Sequence, residues 1–165
     1  MNQGILIRNA RILQTRKVSL STPCEVLIDD GRIKAIVPSD DAETLRRWSE
    51  NSTAPVPKQI DAENAVLMPG LIDCHVHVLA SQMHLGQLGR LPNVLAVLRA
   101  IPILEGMIRR GFTTVRDAGG ADDALRQASS EGTILGPRIF PSGRALSQTG
   151  GHGDMRARWA VIEPC

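Results

Sequence analysis

Aromatic residues are scarce in this chain of 165 residues, which has two Phe, two Trp and no Tyr. A hydrophobic core must therefore be built from Leu, Ile, Val, Ala and Met. A strong excess of one charge is also absent, since 19 basic and 17 acidic residues give a net charge of +2. That balance argues against a surface for nucleic acid or for an anionic membrane.

Long apolar runs are missing as well. No stretch approaches the roughly 18 consecutive apolar residues of a membrane-spanning helix. The N-terminal segment MNQGILIRNARIL lacks the basic start and long apolar stretch of a signal peptide. Three cysteines, Cys24, Cys74 and Cys165, are far apart and odd in number, which suits a reducing compartment better than a disulfide framework. We therefore expect a cytoplasmic protein.

The first part of the chain has the pattern of short strands. The segment EVLIDDGRIKAIVP predicts a β-hairpin, because Asp30-Gly31 separates two β-prone runs and suits a type I′ turn. Residues 39–58 lose this pattern and indicate a short polar helix followed by a Ser/Thr/Pro-rich loop. We expect the strands before residue 39 to form a small all-β layer.

The pattern changes from about residue 59 onward. VLMPGLIDCHVHV is a nearly continuous apolar strand, typical of strands that are buried on both faces. Helical spacing over residues 93–110 predicts a helix that ends at Gly111, with Pro102 either kinking it or marking its restart. FTTVRDAGG is a second strand, ADDALRQASSEG a second helix and PRIFPSG a third strand. This order is the βαβ signature of an α/β fold with a parallel sheet.

Two histidines stand one residue apart at the end of the first apolar strand. Because residues i and i+2 share one face of a strand, His75 and His77 project the same way and can converge on one metal ion. Asp73 is expected on that face as an outer partner of a ring, and Cys74 is expected to point away and pack as a small buried group. The alternative is a pair of hydrogen-bonded or half-exposed histidines without a ligand.

Several segments resemble the amidohydrolase superfamily of metal-dependent hydrolases. VLMPGLIDCHVHV is similar to its first barrel strand, and GFTTVRDAGG to its second barrel strand with the following loop. GPRIFPSGRALSQTGGHGD resembles the third strand and loop of the branch that contains imidazolonepropionase-like enzymes and Xaa-Pro dipeptidases. GILIRNARIL and VLIDDGRIKAIV resemble the family's N-terminal β-sandwich.

The resemblance implies an enzyme that hydrolyses a C–N bond of an amide, cyclic amide or small peptide by metal-activated water. It implies one or two divalent ions, usually zinc, with His75 and His77 as ligands. His152 matches a loop histidine near the substrate, although a loop histidine without a role is an equal alternative. Asp117 either contacts substrate, caps the next helix or pairs with Arg116.

The resemblance also implies a (β/α)8 barrel of the TIM type after a small β-sandwich. Residues 1–64 correspond to the sandwich portion and residues 65–165 to the first three βα units. A complete barrel needs about 250 residues, and the family's remaining ligands belong to later strands. We therefore expect an N-terminal fragment that is inactive alone. The alternative is a non-catalytic fragment that binds metal weakly or pairs with another chain.

Expected partners follow from the same resemblance. We expect a small-molecule or short-peptide substrate, and neither nucleic acid nor membrane. Homo-oligomers are common in the family, and the sequence leaves that question open.

Overall fold

A computed structural model describes residues 4–41, 43, 44, 46, 58–82, 87, 91–144, 146–151, 153, 154 and 159. The chain divides into two compact units, Met1–Pro69 and Gly70–Cys165. Strands and a few helices give these described residues a mixed α/β composition. Among them, no helix is long and apolar enough to span a membrane.

The first unit is built on one β-sheet. Its strands are β1 (Ile5–Gln14), β2 (Ser19–Asp29), β3 (Arg32–Pro38), β4 (Lys58–Asp61) and β5 (Val66–Leu67). The order is β3-β2-β1-β4, with β5 also pairing with β1. Both β4 and β5 run parallel to β1, whereas the β1–β2 and β2–β3 pairs are antiparallel. Asp30 (φ 48°) and Gly31 (φ 66°) have the two positive φ angles of a type I′ turn, which confirms the predicted hairpin.

Strand β1 has a β-bulge at Asn9 (φ 53°), and hydrogen bonds at this bulge connect β1 to neighbouring strands. The buried carboxylate of Glu25 accepts hydrogen bonds from the backbone N–H of Asn9 (3.3 Å) and the hydroxyl of Ser39 (2.9 Å). The Asn9 side-chain amide donates to Asp61 at 3.0 Å. This hydrogen bond, helped by the backbone N–H of Glu63, holds the pKa of Asp61 below its usual value. The bulge therefore links β1 to β2 and to β4.

The second unit alternates strands and helices. Its elements are β6 (Leu71–Val76), α1 (Asn93–Arg109), β7 (Phe112–Asp117), α2 (Asp123–Ser130) and β8 (Arg138–Pro141). The sheet order is β6-β7-β8, and both pairs are parallel. The predicted parallel βαβ arrangement is therefore confirmed. Helix α2 begins at an N-cap, where the Asp122 side chain accepts the backbone N–H of Leu125 at 3.1 Å.

The core of the second unit lies on one face of the sheet. Helix α1 continues through Pro102, so of the two alternatives predicted for this residue, a kink or a restart, the restart is wrong. Within α1, Leu104 is fully buried, whereas Leu98 is 57% exposed. The buried cluster contains side chains from both helices, from the strands and from the loops that follow β6 and β7: Val78, Leu104, Val115, Ala121, Leu125 and Ile139.

The opposite face of this sheet is largely exposed in the described part of the chain. Ile72 is 65% and Phe140 is 53% exposed. The prediction that the first apolar strand is buried on both faces is therefore wrong for this unit. Val115 and Ile139 point into the cluster that both helices cover, and the side chains that alternate with them point the other way.

Candidate metal centre

The two predicted ligands lie together at the carboxyl end of β6. His75 is in the strand, His77 follows its last residue, and both side chains are exposed. Their ring centroids are 5.3 Å apart, with the ring planes at 78°. The pairing with β7 shifts register between Asp73 and Val76, which marks an irregularity beside His75. The structure thus brings together the two imidazoles that the i, i+2 spacing predicts to share a face.

A backbone carbonyl fixes which nitrogen of His77 carries the proton. Its Nδ1 lies 2.9 Å from the carbonyl oxygen of Gly119. Because that oxygen can only accept, Nδ1 is the donor in this contact, and in the neutral ring Nε2 then keeps its lone pair. Metal-binding histidines typically donate their other ring N–H to a carbonyl or carboxylate in this way. The donor set at His77 therefore fits a metal ligand that binds through Nε2.

Asp117 ends β7, and its side chain has no exposed surface. One carboxylate oxygen accepts the backbone N–H of Val78 at 2.7 Å. The other accepts the backbone N–H groups of Gly119 (2.9 Å) and Ala121 (3.1 Å). These contacts give Asp117 a structural role. Its partners are backbone N–H groups of the neighbouring loops, and not the start of α2 or the side chain of Arg116 that the sequence suggested.

Two neighbours of the histidines differ from the sequence-based expectations. Asp73 accepts a hydrogen bond from the backbone N–H of His75 (3.0 Å), rather than from an imidazole ring. Cys74 is exposed, so the prediction that it is buried is wrong. The reason is that the helices cover only one face of the sheet. The Arg116 side chain donates to the Cys74 carbonyl at 3.0 Å, a contact that the sequence did not indicate.

The other candidate histidine, His152, lies outside the described residues. The substrate-binding role of His152 therefore stays a prediction. Among the described residues, no group of three or more His, Cys, Asp or Glu side chains is placed to hold a metal ion. The described part of the candidate site consists of the histidine pair.

Comparison with known proteins identifies the family of the chain. The Amidohydrolase family profile matches residues 66–162, a range that includes both histidines and Asp117. The chain belongs to the amidohydrolase family. The resemblance inferred from the sequence motifs is therefore confirmed, and the solved relatives of this amidohydrolase chain also agree with the predicted branch.

Among curated proteins, the amidohydrolase chain is 35% identical to ochratoxinase of Aspergillus niger over 137 residues, which cover 79% of this chain and 26% of ochratoxinase. It also matches the crystal structure of a prolidase complexed with N-methylphosphonate-L-proline, with a TM-score of 0.81 and 45% identity. That match covers 99% of this chain and 37% of the prolidase.

A Xaa-Pro dipeptidase crystallised with methionine in its active site is a further neighbour. Its TM-score is 0.73 at 25% identity, and the match covers 96% of this chain and 38% of the dipeptidase. The amidohydrolase chain thus spans well under half the length of each of these relatives.

Proposed function

We propose that this chain supplies the first two metal ligands of a hydrolase that cleaves a C–N bond in an amide, a cyclic amide or a small peptide. The observation that carries the proposal is the histidine pair. The rings of His75 and His77 are 5.3 Å apart, and a hydrogen bond to Gly119 leaves Nε2 of His77 free for a metal. Membership of the amidohydrolase family supports a hydrolytic reaction.

We infer that the metal is divalent, in one or two copies, with zinc as the first candidate because imidazole suits it. When bound, such an ion activates a water molecule and polarises the scissile carbonyl. The residues of this chain position the two histidine rings and orient their nitrogens toward the metal. His75 presents its ring from the end of β6, and His77 presents Nε2 because its Nδ1 is bound. We keep His152 as a proposed substrate contact.

We further propose that β6, β7 and β8 are the first three strands of a (β/α)8 barrel and that β1 to β5 belong to a β-sandwich. Two features support this arrangement. The three strands are parallel with helices between them, and the histidines lie at a carboxyl strand end, where barrel enzymes place their active sites. A catalytic zinc typically has three protein ligands. We therefore propose that further ligands come from outside the described residues and that the 165-residue chain has no turnover alone.

The relatives suggest which substrates to test first. Two structural neighbours bear the names prolidase and Xaa-Pro dipeptidase, so Xaa-Pro dipeptides are our first proposed substrates. Cys24 and Cys74 are free thiols, which supports the proposed cytoplasmic location.

A second candidate function is a non-catalytic chain that binds metal weakly or associates with another chain. The exposed sheet face with Ile72 and Phe140 favours this candidate. Hydrolysis of Xaa-Pro dipeptides separates the two functions, because the second predicts none even when the chain is part of a longer protein.

The histidine pair is tested by His75→Ala. We expect the variant to lose at least about tenfold in Zn2+ affinity, because one of two neighbouring ligands is removed. Affinity would be measured by competition with a chromogenic chelator, and bound zinc by elemental analysis. His84→Ala is the matched control, since it removes the same side chain outside the pair. Equal zinc affinity in His75→Ala and the unaltered chain would contradict the assignment.

A further inference from the structure

Asp117 is buried beside the candidate metal centre, and its carboxylate is bound entirely by backbone amides. We propose that Asp117 is a positioning residue for His77 and that it acts through the carbonyl group of Gly119. The effect on metal binding rests on the proposed function, because it requires His77 to be a metal ligand. The hydrogen bonds that carry it can be measured without any metal.

Asp117 holds the loop that presents the carbonyl. One of its oxygens accepts N–H groups from Gly119 (2.9 Å) and Ala121 (3.1 Å), so both sides of Gly120 are tied to one carboxylate. The N–H of Gly120 donates to the Gly143 carbonyl at 2.8 Å. That N–H belongs to the same peptide group as the Gly119 carbonyl. Fixing the peptide plane therefore fixes the direction of the oxygen that His77 contacts.

The other oxygen of Asp117 holds the chain that carries the histidine. It accepts the N–H of Val78, the next residue after His77, at 2.7 Å. The Val78 side chain is fully buried in the core, which anchors this point of the backbone. One carboxylate thus sets both sides of the His77–Gly119 hydrogen bond.

The carboxylate is needed because all three of its partners are donors. An ionised carboxylate is acceptor-only, whereas an amide side chain offers one acceptor and one donor group. In Asp117→Asn, the new NH2 group would face at least one backbone N–H that then lacks an acceptor. A buried donor left unsatisfied destabilises the local structure, so the loop should shift and the Gly119 carbonyl should move away from His77.

The consequence is a change of tautomer. Without the carbonyl as acceptor, His77 is free to carry its proton on Nε2, and that nitrogen then cannot bind a metal. Loss of an outer partner of a metal-binding histidine typically lowers metal affinity about 10- to 100-fold. We expect a loss of this size for Asp117→Asn.

The experiment measures the tautomer and zinc affinity separately. Imidazole 15N NMR of the metal-free chain at about pH 9, where histidine is normally neutral, reports which ring nitrogen of His77 is protonated. His77→Ala assigns the signals. We expect a protonated Nδ1 in the unaltered chain and a substantial Nε2–H population in Asp117→Asn. Zn2+ affinity, from chelator competition, should fall about tenfold or more in the variant.

Two controls separate positioning from general destabilisation. Asp122→Asn makes the same substitution at the N-cap of α2, where the side chain accepts one N–H and has no link to His77. Ile139→Val removes a methyl group from the buried core and lowers stability, while every group that hydrogen-bonds to Asp117 or His77 stays in place. Both controls should keep the His77 tautomer and the zinc affinity of the unaltered chain.

Three results would overturn the inference. The first is an Nε2–H tautomer of His77 in the unaltered chain. The second is a folded Asp117→Asn variant with an unchanged tautomer, and the third is a changed tautomer with unchanged zinc affinity. If Asp117→Asn does not fold, Gly120→Ala takes its place. It forces alanine to a φ of 124° in the same loop and should also raise the Nε2–H population; an unchanged tautomer would count against the inference.

A different result would contradict the proposed function itself. If the unaltered chain binds no zinc through the histidine pair, the proposed metal centre is wrong. The tautomer in the metal-free chain would still decide whether Asp117 positions His77.

Discussion

Cys74 and Cys24 are both free thiols, but they have different surroundings. Cys74 lies between Asp73 and His75 at the exposed end of β6. Cys24 is buried in β2, and its thiol donates to the carbonyl of Thr22 at 3.3 Å. The reactivity of a thiol depends on the access of the reagent to the sulfur.

We predict that iodoacetamide labels Cys74 at least about tenfold faster than Cys24, because a buried thiol reacts only after local opening. The measurement is mass spectrometry of timed samples in a Cys165→Ser background, which removes the thiol that lies outside the described residues. Cys74→Ser should remove the fast phase. Equal labelling rates at both sites would show that the end of β6 is covered.

For single residues, the spacing of the two histidines was enough to predict that their rings lie close together. It could not reveal the hydrogen bond from His77 to Gly119, because the two residues are 42 positions apart and the contact depends on the path of a loop. The role of Asp117 could not be decided from the sequence for the same reason. Its partners are backbone N–H groups, which every non-proline residue offers and which therefore leave no signal in the sequence.

Gly70 shows how closely the elements of the second unit approach one another. A Cβ atom at this position would lie 2.0 Å from the Oγ1 atom of Thr113 in β7. Such a distance is far inside van der Waals contact, so a larger residue must displace the start of β6 or distort β7.

We predict that Gly70→Ala lowers the free energy of unfolding by about 1–3 kcal/mol, the usual range for overpacking. Urea denaturation followed by circular dichroism measures the effect. Thr113→Ala should recover part of the loss, since it removes two of the crowding atoms. Gly106→Ala in α1 is the matched control, because the nearest atom there is the mobile end of Arg110. A Gly70→Ala variant as stable as the unaltered chain would contradict the close approach.

Most elements followed from local patterns, because turns and helix ends depend on neighbouring residues. The Asp30-Gly31 hairpin and the end of α1 at Arg109 are examples. The exposure of β6 could not be predicted from the sequence, because an apolar strand has the same sequence whether one face or both are covered. Pro102 was also ambiguous, since the missing N–H and the ring clash predict a disturbance without deciding whether the helix stops.

For the whole molecule, the relevant fact is that this chain spans 37% of the prolidase and 26% of ochratoxinase. Its described residues contribute two imidazoles to the candidate site, whereas a catalytic zinc typically has three protein ligands and a water molecule. Zinc bound by the 165-residue chain should therefore be weaker than zinc in a longer protein that completes the site.

We predict measurable Xaa-Pro dipeptide hydrolysis by an extended protein that contains this chain, and none by the chain alone. The assay is release of free proline with and without added Zn2+, after removal of metal by a chelator. In the extended protein, His77→Ala should abolish both metal content and turnover. Stoichiometric zinc and turnover in the 165-residue chain would show that two histidines and their surroundings suffice.

The exposed sheet face has a consequence during synthesis. Ribosomes extend chains at roughly 5–20 residues per second, so several seconds separate the emergence of β6 from that of β8. Once these strands pair, Ile72 and Phe140 face the solvent. Exposed apolar side chains in a nascent chain are binding sites for chaperones and starting points for aggregation. The yield of soluble protein should therefore depend on translation speed and chaperone supply more strongly than the average composition of the chain suggests.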